Sequence, residues 1–143
     1  MGASIVAYWP GITEEQLDAQ PGFANDDRAW GNWMAEREDD HAVLRAVADL
    51  GGSALLTFKT DGWDDDDVSW VTPQELRQAA RALRRAVERR HPAVGRILAS
   101  YGRNANGVYS LVDEFLTDLA DIEALADWAE REGAARMTLE VGW

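Results

Sequence analysis

The sequence predicts one α+β (or α/β) domain, a single small sheet of three to five strands with helices packed on it. Three observations carry this. Runs rich in β-branched and aromatic residues lie at both ends of the chain and near its middle, amphipathic stretches with helical spacing lie between them, and turn residues separate the two kinds of segment. At 143 residues, with 46% apolar and 28% charged residues, the chain can bury one core without staples. Residues 1–143 read as one globular domain with no internal repeat or flexible linker.

Ala3 to Trp9 is a β-branched and aromatic run closed by Pro10-Gly11, the pattern of a buried strand. Thr13 followed by Gln16 forms a capping box for a short helical turn that Pro21-Gly22 ends. Residues 26–38 have weak amphipathic character around Trp30, Trp33 and Met34. Asp40 is placed to cap a helix from Ala42 to Leu50, whose Val43, Leu44, Val47 and Leu50 share one face, and Gly51-Gly52 stops it. Ser53 to Lys59 is apolar enough to be a central strand. A loop follows from Asp61 to Asp67, and Val68 to Val71 fits a short edge strand.

The strongest local signal comes next. Thr72 caps, Pro73 occupies the first helical position and Glu75 completes a capping box, so a helix runs to about Arg90. Leu76, Ala79, Ala80, Leu83, Ala86 and Val87 form its apolar stripe, expected to face the sheet. Arg77, Arg81, Arg84 and Arg85 are expected to face outward, solvated or paired with acids from elsewhere in the chain. Residues 93–101 read as a helix through Val94, Ile97, Leu98 and Tyr101, with a hairpin around Asn106-Gly107 and Val108–Val112 as the rival assignment. A last helix near Asp121–Glu132 packs through Ile122, Leu125, Trp128 and Ala129 and exits at Gly133. Ala135, Met137, Leu139 and Val141 then alternate with polar residues as a half-buried strand.

Charge narrows the function. Fourteen basic residues face 26 acidic ones, a net of −12. Such a chain repels phosphate backbones and anionic lipid, so neither direct nucleic-acid binding nor membrane binding is expected, whereas a basic protein partner would be attracted. The charge is segregated: residues 1–70 sum to −11, 71–105 to +6 and 106–143 to −7. No positively charged leader precedes the first apolar run, no run approaches the ~18 apolar residues of a membrane span, and Val6 stands where a myristoylation pattern needs Ser or Thr. A cytoplasmic location is the expectation. Thirteen Arg against one Lys, with abundant Ala, fits a GC-rich, bacterial coding sequence.

Familiar catalytic patterns are missing from the sequence. There is no Gly-x-Gly-x-x-Gly and no phosphate-cradling loop, and Ser100 lacks the first glycine of a nucleophile elbow. Two His, His41 and His91, and no Cys cannot make a structural zinc site by themselves. No cofactor is expected. The most unusual segment is Trp63-Asp64-Asp65-Asp66-Asp67-Val68-Ser69-Trp70, four adjacent carboxylates flanked by two of the seven Trp. Counted from Asp61, its glycine falls second and its twelfth place is Thr72, so it is not an EF-hand calcium loop. A solvated loop, a partner-binding loop and a cation site of another kind all fit. Exposed Trp beside charge is the composition of a binding hot spot, which makes Trp63, Asp64, Asp65, Asp66, Asp67 and Trp70 the candidate partner-binding residues. The same two Trp could equally anchor the loop to the body.

Tyr101-Gly102-Arg103-Asn104, followed by Leu111, Asp113 and Leu116, resembles the Tyr-Gly-x-Asn segment of the barstar family of ribonuclease inhibitors. Asn106-Gly107-Val108-Tyr109-Ser110-Leu111 with the terminal helix and strand is similar to other small bacterial toxin-immunity proteins. The resemblance implies a non-enzymatic cytosolic binder that neutralises a toxin by presenting acidic groups to its basic site. The alternative is a small enzyme or ligand-binding domain whose site is built from scattered residues. A third reading is a self-associating structural protein, since the sequence leaves the oligomeric state open.

Overall fold

The computed structural model describes residues 4–25, 30, 34, 41–59, 63–101 and 111–142. In chain order they form β1 (Ser4–Tyr8), α1 (Glu14–Asp18), α2 (His41–Asp49), β2 (Phe58–Lys59), α3 (Pro73–Glu88), α4 (Val94–Tyr101), α5 (Leu111–Arg131) and β3 (Thr138–Gly142). Short 3₁₀ turns occupy Gly22–Asn25, Ser53–Leu56 and Asp65–Asp67. The described helices pack on a three-stranded mixed sheet, an α+β arrangement. None of them is long and apolar enough to cross a membrane.

The strand order is β1-β3-β2, with β3 in the middle. It pairs antiparallel with β1, from Ser4 opposite Gly142 to Tyr8 opposite Thr138, and parallel with Phe58 and Lys59 of β2. Strand alternation sends Ile5, Ala7, Met137, Leu139 and Val141 into the core, all fully buried. Thr138 is buried as well, against the alternation, and Ala135 is exposed ahead of the strand. The expected central strand at Ser53–Lys59 is corrected. Ser53–Leu56 coils into a 3₁₀ turn packed on α3, with Leu55 fully buried, and only Phe58 and Lys59 pair, at the sheet edge. A short apolar run buries itself equally well as a turn under a helix or as a strand, so composition could not separate the two. The expected edge strand at Val68–Val71 reduces to one bridge between Val71 and Met137.

The outer edge of β1 is closed by a side chain. Gln20 accepts a hydrogen bond from the Ala7 N–H at 2.9 Å and donates to the Ala7 C=O at 2.8 Å. Its amide thus takes the place of a neighbouring strand's peptide group, and it is itself buried. The capping box at Thr13 and Gln16 that starts α1 directs the chain back to that position.

The capping box at Thr72 and Glu75, with Pro73 inside the first turn, starts α3 as its sequence dictates. Leu76, Ala79, Ala80, Leu83 and Ala86 are buried, and the helix packs chiefly against α5. That contact corrects the outward placement of the arginines. Arg77 is mostly buried and pairs with Asp127 at 2.7 Å and with Glu130, while Arg81, at 2.7 Å, and Arg84 converge on Glu123. Of the four, Arg85 alone is exposed without an ion pair among the described residues. The helix α5 begins at Leu111, well before the expected Asp121. Phe115, Leu119, Ile122, Leu125, Ala126 and Ala129 make one continuous buried stripe, and Asp113 and Glu114 favour the positive end of the helix dipole. The helix expected over residues 93–101 is α4, Val94–Tyr101, and Leu111–Val112 belong to α5 and not to a hairpin, whose remaining residues lie outside the described ones. Gly51, at φ 90°, ends α2 in the left-handed conformation that glycine adopts freely. Of the 26–38 segment, Trp30 and Met34 are described, and both are buried. Trp30 stacks on Phe115 with ring centres 6.1 Å apart, and its backbone N–H donates to the Asp118 carboxylate of α5 at 2.8 Å. Asp40, the expected cap of α2, lies outside the described residues.

Replacing Gln20 by Ala leaves a buried N–H and a buried C=O of Ala7 without partners. The expected loss is about 2–6 kcal/mol of unfolding free energy, since each of the two orphaned groups costs about 1–3 kcal/mol. Urea titration of Gln20→Ala against wild type measures it.

Candidate functional site

The face of the sheet turned away from the core carries the acidic turn. Strand alternation places Val6 and Tyr8 of β1, Lys59 of β2 and Glu140 of β3 on this face, with Val6 and Lys59 both in register with Glu140. Tyr8 stacks on Trp70 with ring centres 6.0 Å apart. Arg136 lies over the Trp70 ring at 5.2 Å, and the Lys59 Nζ lies over Tyr8 at 5.0 Å. The result is a ladder of cation, ring, ring and cation, in which the negative ring faces hold the two positive charges. Lys59 also reaches Glu140 at 4.0 Å.

Asp65–Asp67 form a single 3₁₀ turn beside this ladder. The Asp67 N–H donates to the Asp64 C=O at 2.9 Å, and the Asp64 N–H donates to the Asp67 carboxylate at 3.1 Å. Short acidic side chains stabilise turns in this way, by accepting from backbone a few residues off. The Tyr8 hydroxyl donates to the Asp65 carboxylate at 2.9 Å and fastens the turn to the sheet. Val68 and Val71, both buried, pin the chain that leaves it. Asp65 and Asp67 therefore have structural duties, which the sequence did not reveal.

Asp64, Asp65, Asp66 and Asp67 are all exposed, and none forms an ion pair among the described residues. Trp63 tilts over Phe58 with ring centres 5.2 Å apart and keeps 38% of its surface exposed. Trp70 is half-buried in the ladder. The two Trp thus lean on different supports, Trp63 on β2 and Trp70 on β1, with the acidic turn between them in sequence. Tyr8, Lys59, Arg136 and Glu140 are neighbours that residue composition did not single out. Their signal was strand parity, which becomes readable once the register is known. Among the described residues no group of three His, Asp or Glu side chains converges as a metal site requires. In the barstar-like segment, Tyr101 closes α4 and Leu111, Asp113 and Leu116 lie in the first two turns of α5, while residues 102–110 lie outside the described ones. No protein-family model, curated protein or solved structure matches this chain.

Burial raises the Tyr8 pKa above its ordinary 10.0, and the hydrogen bond to Asp65 and the charges of Asp65 and Glu140 push it the same way. Between the unfolded and folded values the folded state holds the extra proton. The contribution of Tyr8 to stability is therefore full below pH 10 and is lost as pH rises through its folded pKa. Absorbance titration of the phenolate should show one late-titrating Tyr that Tyr8→Phe removes and Asp65→Asn moves back toward the ordinary value.

Replacing Asp64 to Asp67 by Asn keeps an oxygen acceptor at every position and removes the mutual repulsion of four charges. The melting temperature of this variant should be unchanged or slightly raised. A clear fall in a calorimetric scan would mean that the charge itself holds the turn.

Proposed function

We propose that the protein is a non-enzymatic inhibitor or immunity-type protein that binds a basic site on a partner protein and occludes it. The observation that carries this reading is the acidic turn: four exposed carboxylates without ion pairs among the described residues, held by Tyr8, Val68 and Val71 next to the exposed Trp63. Pre-ordering matters, because a site already held in place loses little conformational freedom on binding. Asp64 to Asp67 stand in for the phosphates of the partner's own substrate, and Trp63 supplies apolar area at the rim of the contact. Trp70 acts from behind, as part of the support for the turn.

The net charge of −12 speeds encounter with a basic protein and opposes direct contact with nucleic acid or anionic membranes. The resemblance of Tyr101-Gly102-Arg103-Asn104 to the barstar family points to the same class, a partner that is a bacterial toxin, met in the cytoplasm. No cofactor enters the mechanism, which is steric and electrostatic.

Affinity capture from the source bacterium with wild type and with the Asp64–Asp67→Asn variant tests this. A basic protein should be retained by wild type and depleted on the variant, with association slowed by roughly tenfold or more and its salt dependence blunted. Capture of the same proteins by both would overturn the assignment of the acidic turn.

A further inference from the structure

The arginines of α3 divide into two groups. Arg77, Arg81 and Arg84 face α5 and are consumed by Asp127, Glu130 and Glu123. Those at its far end are not: Arg85, Arg89 and Arg90 are exposed, as is Arg96 in the first turn of α4, and none forms an ion pair among the described residues. His91 is exposed in the same corner, and Glu88, also unpaired, is the one carboxylate between Leu76 and Val112. Among the described residues no carboxylate pairs with these guanidinium groups, in a chain that is otherwise strongly acidic.

The backbone of the corner gives a second observation. The His91 N–H donates to the Ala86 C=O at 2.9 Å and the Arg90 N–H donates to the Val87 C=O at 3.0 Å, the closing pattern of a helix whose next residue turns left-handed. That residue is Arg90, at φ 54°, the one described non-glycine residue with positive φ. Glycine is the usual occupant, and Gly51 and Gly133 end other helices of this chain in that conformation. An arginine in a conformation that opposes its Cβ adds a charge to the corner at some cost to the fold.

We infer that the corner formed by Arg85, Arg89, Arg90 and Arg96 is a second docking surface, which takes a carboxylate-rich segment of a partner protein. Guanidinium groups match carboxylates two hydrogen bonds at a time, and several arginines close in sequence suit a short acidic run. The acidic turn does not veto this. The turn precedes the first residue of α3 in the chain, Arg89, Arg90 and Arg96 follow the last, and the helix between them has 16 residues and so is ~24 Å long. The screening length at about 0.15 M salt is about 8 Å, so a ligand at the corner feels the corner. A nucleic-acid duplex fits less well, because its binding commonly draws on about 6–10 phosphate contacts and the corner offers four arginines with Glu88 among them. A second copy of the chain would bring its own net charge of −12 with its acidic turn.

A fluorescent octaglutamate peptide is the probe, with the full chain at about 0.15 M salt. Binding by anisotropy is expected, with loss at about 1 M salt, where screening acts within about 3 Å. Arg85→Glu/Arg89→Glu should weaken it by about tenfold or more, whereas Asp64–Asp67→Asn should retain it, which separates this surface from the acidic turn. Arg90→Gly gives the sharper reading: affinity should fall while the melting temperature rises, opposite signs that a purely structural arginine would not produce. Absence of peptide binding, or equal binding by the charge-reversed variant, overturns the proposal. Tighter binding of a short DNA duplex than of the peptide would assign the corner to phosphates and overturn it too. So would wild-type self-association that disappears in Asp64–Asp67→Asn, since the occupant would then be a second copy.

Discussion

The strand β3 and the residue before it hold together segments that the sequence keeps far apart. Met137 pairs with Val71, Leu139 with Ala7 and Phe58, and Glu140 with Val6 and Lys59. Every one of these pairings sits over Met137, Leu139 and Val141, which have no exposed surface. A shift of β3 by one residue would turn those three side chains to solvent and Glu140 inward, so the register is fixed by the hydrophobic core. The ladder of Arg136, Trp70, Tyr8 and Lys59 exists because that register brings four separate segments to one face. The acidic turn inherits its position from the ladder through the hydroxyl of Tyr8.

Electrostatics performs different tasks in different parts of this molecule. Between α3 and α5 it joins two helices: Arg77, Arg81 and Arg84 neutralise Asp127, Glu130 and Glu123 at a seam where the participating groups are partly desolvated. Pairs with one partner half-exposed, such as Arg81 with Glu123, add modestly to stability, and their larger effect is to fix which face of α3 meets α5. Before α3 and from its last turn onward lie groups of opposite charge, the acidic turn and Arg85, Arg89 and Arg90, that form no ion pairs among the described residues. The formal charge of −12 therefore describes no single surface of the protein. At physiological salt the field of each group is local.

The helices were legible where capping and periodicity agreed. Thr72, Pro73 and Glu75 specify the start of α3 within its own first turn, and Gly51 and Gly133 mark the exits of α2 and α5, because caps depend on hydrogen bonds that reach only a few residues. The start of α5 was misplaced because Leu111–Val112 are as acceptable to a strand as to a helix, and the stripe that decides the matter, Phe115 to Ala129, matters only when α3 is there to bury it. Ser53–Leu56 failed for the same reason, with burial under α3 replacing burial in a sheet. Of the candidate site, the acidic run and its two Trp were visible as composition. Tyr8, Lys59, Arg136 and Glu140 were not, since nothing local distinguishes an outward strand residue that has a neighbour from one that has none.

The sequence by itself determined the local and additive properties: the α+β class, the capped helices, the alternation of Met137, Leu139 and Val141 with polar residues, the excess of negative charge and its segregation along the chain. Tertiary structure decided which groups of like chemistry have partners. It assigned Arg77, Arg81 and Arg84 to α5 and left Arg85, Arg89 and Arg90 exposed, gave Asp65 and Asp67 hydrogen bonds while all four carboxylates stayed open to solvent, and put β3 at the centre of the sheet. The physical reason is range. Caps, turns and periodicity act within a few residues of one another, whereas a charge or a strand edge is satisfied by whichever group the packed core delivers to it.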